Sequence, residues 1–252
     1  MKPPMKLMTH IVAGYPNLKE SEKTALAMAK SGASFIEIQI PFSDPIADGP
    51  TLIRANELSL QNGMTTKKAM TLVKNIKSQT TVPILIMTYF NIAFKYGLEK
   101  FCREAKEAGV YGFIIPDLPI DEEPYENYLG LCKKHNLHPV QVISPITPTR
   151  RLKLIAEIAT GFIYCVSRYG TTGEKNALNP DLASYLKKVR KHINLPLALG
   201  FGISTPAQAK EAAKHADIVI IGSKFINLYD QTKTTSKTNK IKAIEKFIRT
   251  IL

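Results

Sequence analysis

Short β-branched runs and longer amphipathic stretches alternate along the whole chain. The runs are Leu7–Ala13, Phe35–Ile40, Ile84–Tyr89, Gly112–Ile115, Pro139–Ile143, Phe162–Val166, Pro196–Gly200 and Ile218–Ile221. Between them, apolar residues recur at helical spacing over Ser21–Ser31, Met64–Ser78, Leu98–Ala108, Pro124–His135, Pro148–Ala159, Pro180–His192 and Pro206–His215, and again in a C-terminal helix. Thr147-Pro148, Asn179-Pro180 and Thr205-Pro206 read as caps followed by proline in the first helical turn. Eight such units fill 252 residues, about 32 residues each, the length of a βα repeat. The expectation is a single α/β domain over 1–252, a (β/α)8 TIM barrel, with a doubly wound open sheet as the alternative.

Composition removes other classes. Hydrophobic residues make up 44% and charged residues 22%, which excludes disordered and coiled-coil chains. No apolar run approaches the ~20 residues of a membrane helix. The N-terminus is too short and too interrupted by His10 for a secretory signal. Cys102, Cys132 and Cys165 are widely spaced and form no CxxC pair, so a reducing, cytoplasmic compartment is expected. The net charge is +13. Lys224 to Leu252 carries seven Lys/Arg against Asp230 and Glu245, a local +5, much of it on the C-terminal helix, where Ile241, Ile244, Ile248 and Ile251 form the apolar face and lysines the solvated one. No aromatic-interleaved basic stripe accompanies it, so nucleic acid is not the expected partner.

One strand carries an acid. In Phe35-Ile36-Glu37-Ile38-Gln39-Ile40, alternation turns the isoleucines toward helices and Phe35, Glu37 and Gln39 into the barrel. Desolvation favours the neutral carboxylic acid at such a place, a condition for general acid/base chemistry. No strand offers a lysine, which excludes a Schiff-base aldolase. His10, His135, His138, His192 and His215 are scattered and match no metal-ligand spacing, so no metal site is expected. The longest strand-to-helix loop, Pro41–Pro50, follows the acid's strand and is succeeded by an extra segment, Thr51–Asn62. Late in the chain, strands six, seven and eight lead into Ser167–Gly173, Gly200–Ser204 and Gly222-Ser223. Glycines there let backbone N–H groups approach a phosphate, and a helix beginning near Ser223 adds its positive end.

The segment Ile36-Glu37-Ile38-Gln39-Ile40-Pro41-Phe42-Ser43-Asp44-Pro45-Ile46-Ala47-Asp48-Gly49-Pro50-Thr51 resembles the signature of the tryptophan synthase α subunit family. So do Tyr89-Phe90-Asn91, Pro116-Asp117-Leu118-Pro119, Gly161–Arg168 and Gly200–Ser204, in order over most of the chain. The resemblance implies cofactor-free, retro-aldol cleavage of indole-3-glycerol phosphate to indole and glyceraldehyde 3-phosphate. It implies a β-subunit partner in an α2β2 assembly. It gives Glu37 the acid/base role at the ring carbon and glycerol hydroxyl, and Asp48 the indole N–H. Tyr164 would line the site, and Thr172 would latch the sixth loop to Asp48. Gly173, Phe201, Gly202, Gly222 and Ser223 would hold the phosphate end, while Asp44, Pro45 and Asn91 would face the β subunit.

The chain departs from the family where Gln39 stands for the usual Gly, and where His10 and Val12 stand for Phe and Thr. The Gln39 side chain should reach toward the indole pocket and hydrogen-bond Glu37 or Asp48. The helix that usually precedes the first strand is missing from the pattern, so lower stability or a floor covered by a neighbour is expected. The competing expectation is an α-like subunit of little or no activity that mainly binds and activates β. Another phosphate-binding barrel, such as an isomerase, leaves the Pro41–Pro50 string unexplained.

Overall fold

In a computed structural model, residues 5–120, 126–166, 181–200, 202–231 and 237–252 are described. Eight parallel strands close into a barrel in sequence order: β1 Lys6–Val12, β2 Phe35–Gln39, β3 Ile84–Met87, β4 Gly112–Ile114, β5 His138–Ile143, β6 Ile163–Val166, β7 Leu197–Gly200 and β8 Ile218–Ile221. β8 pairs back onto β1 through Leu7 and Val219, which rules out the open sheet. Every expected strand is present, most trimmed by a residue or two. β1 begins one residue earlier, at Lys6, whose side chain is exposed at the strand's start. The barrel interior therefore keeps Glu37 as its acid.

The described helices are α1 Leu18–Lys30, α2 Pro50–Gln61, α3 Thr66–Lys77, α4 Phe90–Tyr96, α5 Leu98–Glu107, α6 Tyr128–Lys134, α7 Thr149–Ile158, α8 Leu182–Arg190, α9 Pro206–His215, α10 Ser223–Gln231 and α11 Lys237–Ile251. Among them none is long and apolar enough to cross a membrane. Their starts follow local chemistry. Thr205 and Gln208 form a reciprocal capping box on α9 with Pro206 in its first turn. Thr147-Pro148 departs from the expectation: Pro148 is the N-cap residue of α7, and the Thr147 hydroxyl accepts from Ser144 N–H at 3.0 Å instead. Asn179-Pro180 lies outside the described residues.

The extra segment before α3 is α2. The alternation did not reveal α4, because seven residues are too few to show a period. Its first N–H, on Phe90, donates to both carboxylate oxygens of Asp117, at 2.9 and 3.0 Å. The Pro116–Pro119 motif after β4 thus holds the helix after β3.

Two apolar layers result. Outward residues such as Ile36, Ile38 and Ile86 pack under the helices, while Met8, Leu85, Ile114, Val140 and Ile218 fill the interior. At the N-terminal end of the barrel, Phe35 meets Tyr111 and Phe162 edge-on, with centroids 6.0 and 5.5 Å away. The chain's own aromatic rings thus occupy the floor. Ile244, Ile248 and Ile251 of α11 are buried as expected.

Candidate active site

β2 delivers Glu37 and Gln39 to the lumen, and the loop after it returns Asp48 above them. Glu37 is 2% exposed, Asp48 3%, and Gln39 is fully buried. Gln39 Nε2 donates to Asp48 Oδ2 at 2.6 Å, one of the two contacts expected of that side chain. Asn56, on α2, supports the same oxygen at 3.4 Å and is fixed by donating to Leu52 O. Tyr89 closes the other side, its hydroxyl accepting from Ala47 N–H at 3.1 Å. The Asp48 loop is therefore tied to β2, to α2 and to the end of β3.

Burial raises the Asp48 carboxyl above its ordinary value of 3.8, while the hydrogen bond from Gln39 and the charge of His10 pull the other way. Tyr164 of β6 is held in its neutral form well above 10 by burial and by the charges of Glu37 and Asp48. Its hydroxyl packs on Gly200 of β7: a Cβ there would come within 2.9 Å of that oxygen.

Sequence reasoning gave no site role to His10. In β1 it is the register partner of Glu37, and its Nδ1 lies 3.1 Å from Glu37 Oε1. The ring is 5% exposed. Burial alone would lower its pKa, but the charge of Glu37 and the hydrogen bond to it outweigh that, and the value rises above 6.5. The signal was present in the alternation of β1, which places Met8, His10 and Val12 on the inward face. A count of histidines by sequence spacing does not see it. Tyr89 and Asn56 escaped for a similar reason, since each acts through a loop that sequence cannot fold.

Opposite the acids, Gly202 has a positive φ of 78°, which a residue with a Cβ adopts only under strain. Gly222 packs directly on His10, where a Cβ would sit 3.4 Å from the His10 Cβ. Ser223 opens α10, and the Phe225 N–H is already bonded to Gly222 O. Lys224 extends over the Phe247 ring of α11, 5.7 Å from its centroid. The mouth of β8 thus offers amides and a helix N-terminus. Thr172, Gly173 and Phe201 lie outside the described residues. On the same face of the barrel Asp44 and Asn91 are exposed, whereas Pro45 is buried between exposed neighbours. Ile46 and Phe94 stand out into solvent there, 76% and 56% exposed. No group of three or more His, Cys, Asp or Glu able to hold a metal occurs among the described residues.

Comparison with known proteins points one way. The family described as tryptophan synthase alpha chain matches residues 2–251. The chain is 40% identical over 245 residues to the tryptophan synthase alpha chain of Petrotoga mobilis, covering 97% of this chain and 94% of that one. It is 42% identical over 225 residues to that of Desulfotalea psychrophila, covering 89% and 88%. Among solved structures, the alpha subunit of Legionella pneumophila superposes with a TM-score of 0.88 at 31% identity, over 98% of this chain and 91% of that one. Tryptophan synthase of Mycobacterium tuberculosis gives 0.88 at 29%, with the same coverage.

Proposed function

The chain belongs to the tryptophan synthase alpha chain family, lyases that cleave indole-3-glycerol phosphate and pair with a β subunit, and we propose that Glu37 and Asp48 carry that cleavage here. The reaction needs a proton for an aromatic ring carbon, a sink for the positive charge on the ring nitrogen, and an anchor for a phosphate dianion. Glu37 supplies the first from inside the barrel. Asp48 supplies the second, its carboxylate accepting the indole N–H while Gln39 and Asn56 hold its orientation. Gly202, Gly222, Ser223 and the α10 N-terminus supply the third; the family resemblance adds Gly173 and Phe201 to that role and gives Thr172 the role of latching the sixth loop. Tyr164 lines the wall between the two ends. The substrate leaves as indole and glyceraldehyde 3-phosphate, with no cofactor.

The observation that carries this reading is the juxtaposition of two buried carboxylates, from a strand and from the loop that follows it. Asp44 and Asn91, with Ile46 and Phe94 around them, form the surface that meets the β subunit in an α2β2 complex, while Pro45 is buried and supports it from below. The three cysteines are free and buried, which fits a reducing cytoplasm.

A coupled assay for glyceraldehyde 3-phosphate, with and without the β subunit, tests the proposal. Turnover should fall by about 10²–10⁴-fold in Glu37→Gln and fall in Asp48→Asn, with inorganic phosphate still bound. An intact wild-type complex that produces no glyceraldehyde 3-phosphate leaves only the binding role.

A further inference from the structure

β1 lies between the strand that carries the acid and the strand that opens onto the phosphate cradle, since it pairs with both β2 and β8. Its inward residue at that level is His10. One edge of the ring meets Glu37 at 3.1 Å, and the other packs against Gly222. On the reading given above, the substrate would lie along the same line, with its ring carbon at Glu37, its phosphate at Gly222 and Ser223, and the hydroxyl-bearing carbon joined to the ring between them. His10 Nε2 is buried and has no hydrogen-bond partner among the described residues, and the same holds for Glu37 Oε2. Glu37 Oε1 is occupied by His10, which leaves that carboxyl one free oxygen for two proton transfers.

We propose that His10 is a second catalytic residue of this chain, taking the glycerol hydroxyl proton on Nε2 while Glu37 delivers its proton to the ring carbon from Oε2. The inference rests on the reading of the site given above. The carboxyl O–H bond breaks and a C–H bond forms at the ring carbon, placing positive charge on the ring nitrogen that faces Asp48. The hydroxyl O–H bond then breaks and its proton bonds to Nε2. The oxygen's electron pair closes the aldehyde C=O, the carbon–carbon bond breaks, and its pair returns to the ring and quenches the charge on nitrogen. Glu37 is left an anion and His10 a cation in contact, each stabilising the other. One proton exchange with water, from Nε2 and back to Oε2, resets the pair.

The pair holds one titratable proton, and the reacting form is the one that carries it on Glu37 Oε2 with Nε2 of His10 open. Other ionisable groups facing the pair are Asp48 from the loop after β2 and Tyr164 from β6; Tyr15, after β1, and Tyr229, on α10, line a cavity with His10, and burial keeps all three phenols neutral. Gly222, which follows β8, brings no charge. His10→Gln is the direct test, because its amide still donates to Glu37 Oε1 but cannot accept a proton. In the wild-type and variant α–β complexes, kcat for indole-3-glycerol phosphate should fall about 10²-fold, with KM and inorganic phosphate binding within threefold of wild type. The alkaline limb of the wild-type kcat–pH profile should disappear or move in His10→Phe, which holds no proton. A His10→Gln kcat within threefold of wild type, or a limb unmoved in His10→Phe, overturns the assignment of His10 alone. Absence of turnover in the wild-type complex overturns both this inference and the reading of the site.

Discussion

Gln39 Nε2 donates to Asp48 Oδ2 across 2.6 Å, inside the barrel and shielded from water. Two residues of one strand thus hold the two acids of the site: Glu37 is itself one, and Gln39 clamps the other. The contact favours the carboxylate form of Asp48 against a burial that opposes it. Asp48 must be ionised to accept the indole N–H, so activity falls as pH drops through its raised pKa. Gln39→Gly removes an influence that lowers that pKa, so the acid limb of kcat/KM should move to higher pH. KM for indole-3-glycerol phosphate should change, while inhibition by inorganic phosphate stays as it was. A limb that moves downward, or a parallel change in phosphate affinity, would show that this side chain acts elsewhere.

Stability should carry the mark of His10. Its folded pKa lies above 6.5 because Glu37 outweighs burial. The contribution of the pair is therefore fully present below about 6.5 and is lost as pH rises through the raised value. Urea midpoints measured across that window should decline with pH in the wild type, and the decline should flatten in His10→Phe. Removing one partner of a buried pair typically costs about 3–5 kcal/mol, so the phenylalanine, which refills the volume, is the better replacement than alanine. An identical slope in both proteins would mean that the imidazole carries no charge at low pH.

How far the molecule could be read from its sequence depended on the range of the physics involved. All eight strands were legible because alternation and β-branching act within a few residues. Closure of the barrel followed from the number and even length of the units. Glu37 stood out because it breaks an apolar strand, and the long loop after it marked where to look; Asp48 within that loop came only from the resemblance of the Pro41–Pro50 string to the family signature. The alternation of β1 turned His10 inward, but its role was missed, since its partner is 27 positions away and joins it only through strand register. α4 and its Asp117 cap were hidden for the same reason: the cap comes from the next βα loop. The Thr147 hydroxyl shows the converse error, in which a good local capping signal yielded to a turn with Ser144.

The apolar pair Ile46 and Phe94 should mark the face that β covers. Ile46 stands on the loop after β2 and Phe94 on α4 after β3, 76% and 56% exposed, where large apolar side chains are costly unless a partner removes them from water. Phe94 also packs on Phe90, centroids 5.9 Å apart, within the helix that Asp117 caps. Phe94→Glu should weaken association with β by at least about tenfold, the loss of one well-buried anchor, as read by titration calorimetry. Unaltered affinity would place the interface away from α4.

Gly200 and Tyr164 give the last test, because steric cause and catalytic effect can be separated there. A methyl group at 200 would meet the Tyr164 hydroxyl at 2.9 Å and its ring at 3.2 Å, closer than a Cβ contact allows. The backbone of β7 is fixed by its pairing with β6, so the phenol must yield, and the space open to it is the lumen. Gly200→Ala should therefore raise KM for indole-3-glycerol phosphate with little loss of thermal stability. Tyr164→Phe in the same chain removes the nearest clashing atom and should recover much of the affinity, leaving a coupling between the two changes that additivity forbids for independent sites. Strictly additive effects on KM would mean that the methyl is accommodated by β7 instead, and that Tyr164 does not form the wall of the pocket.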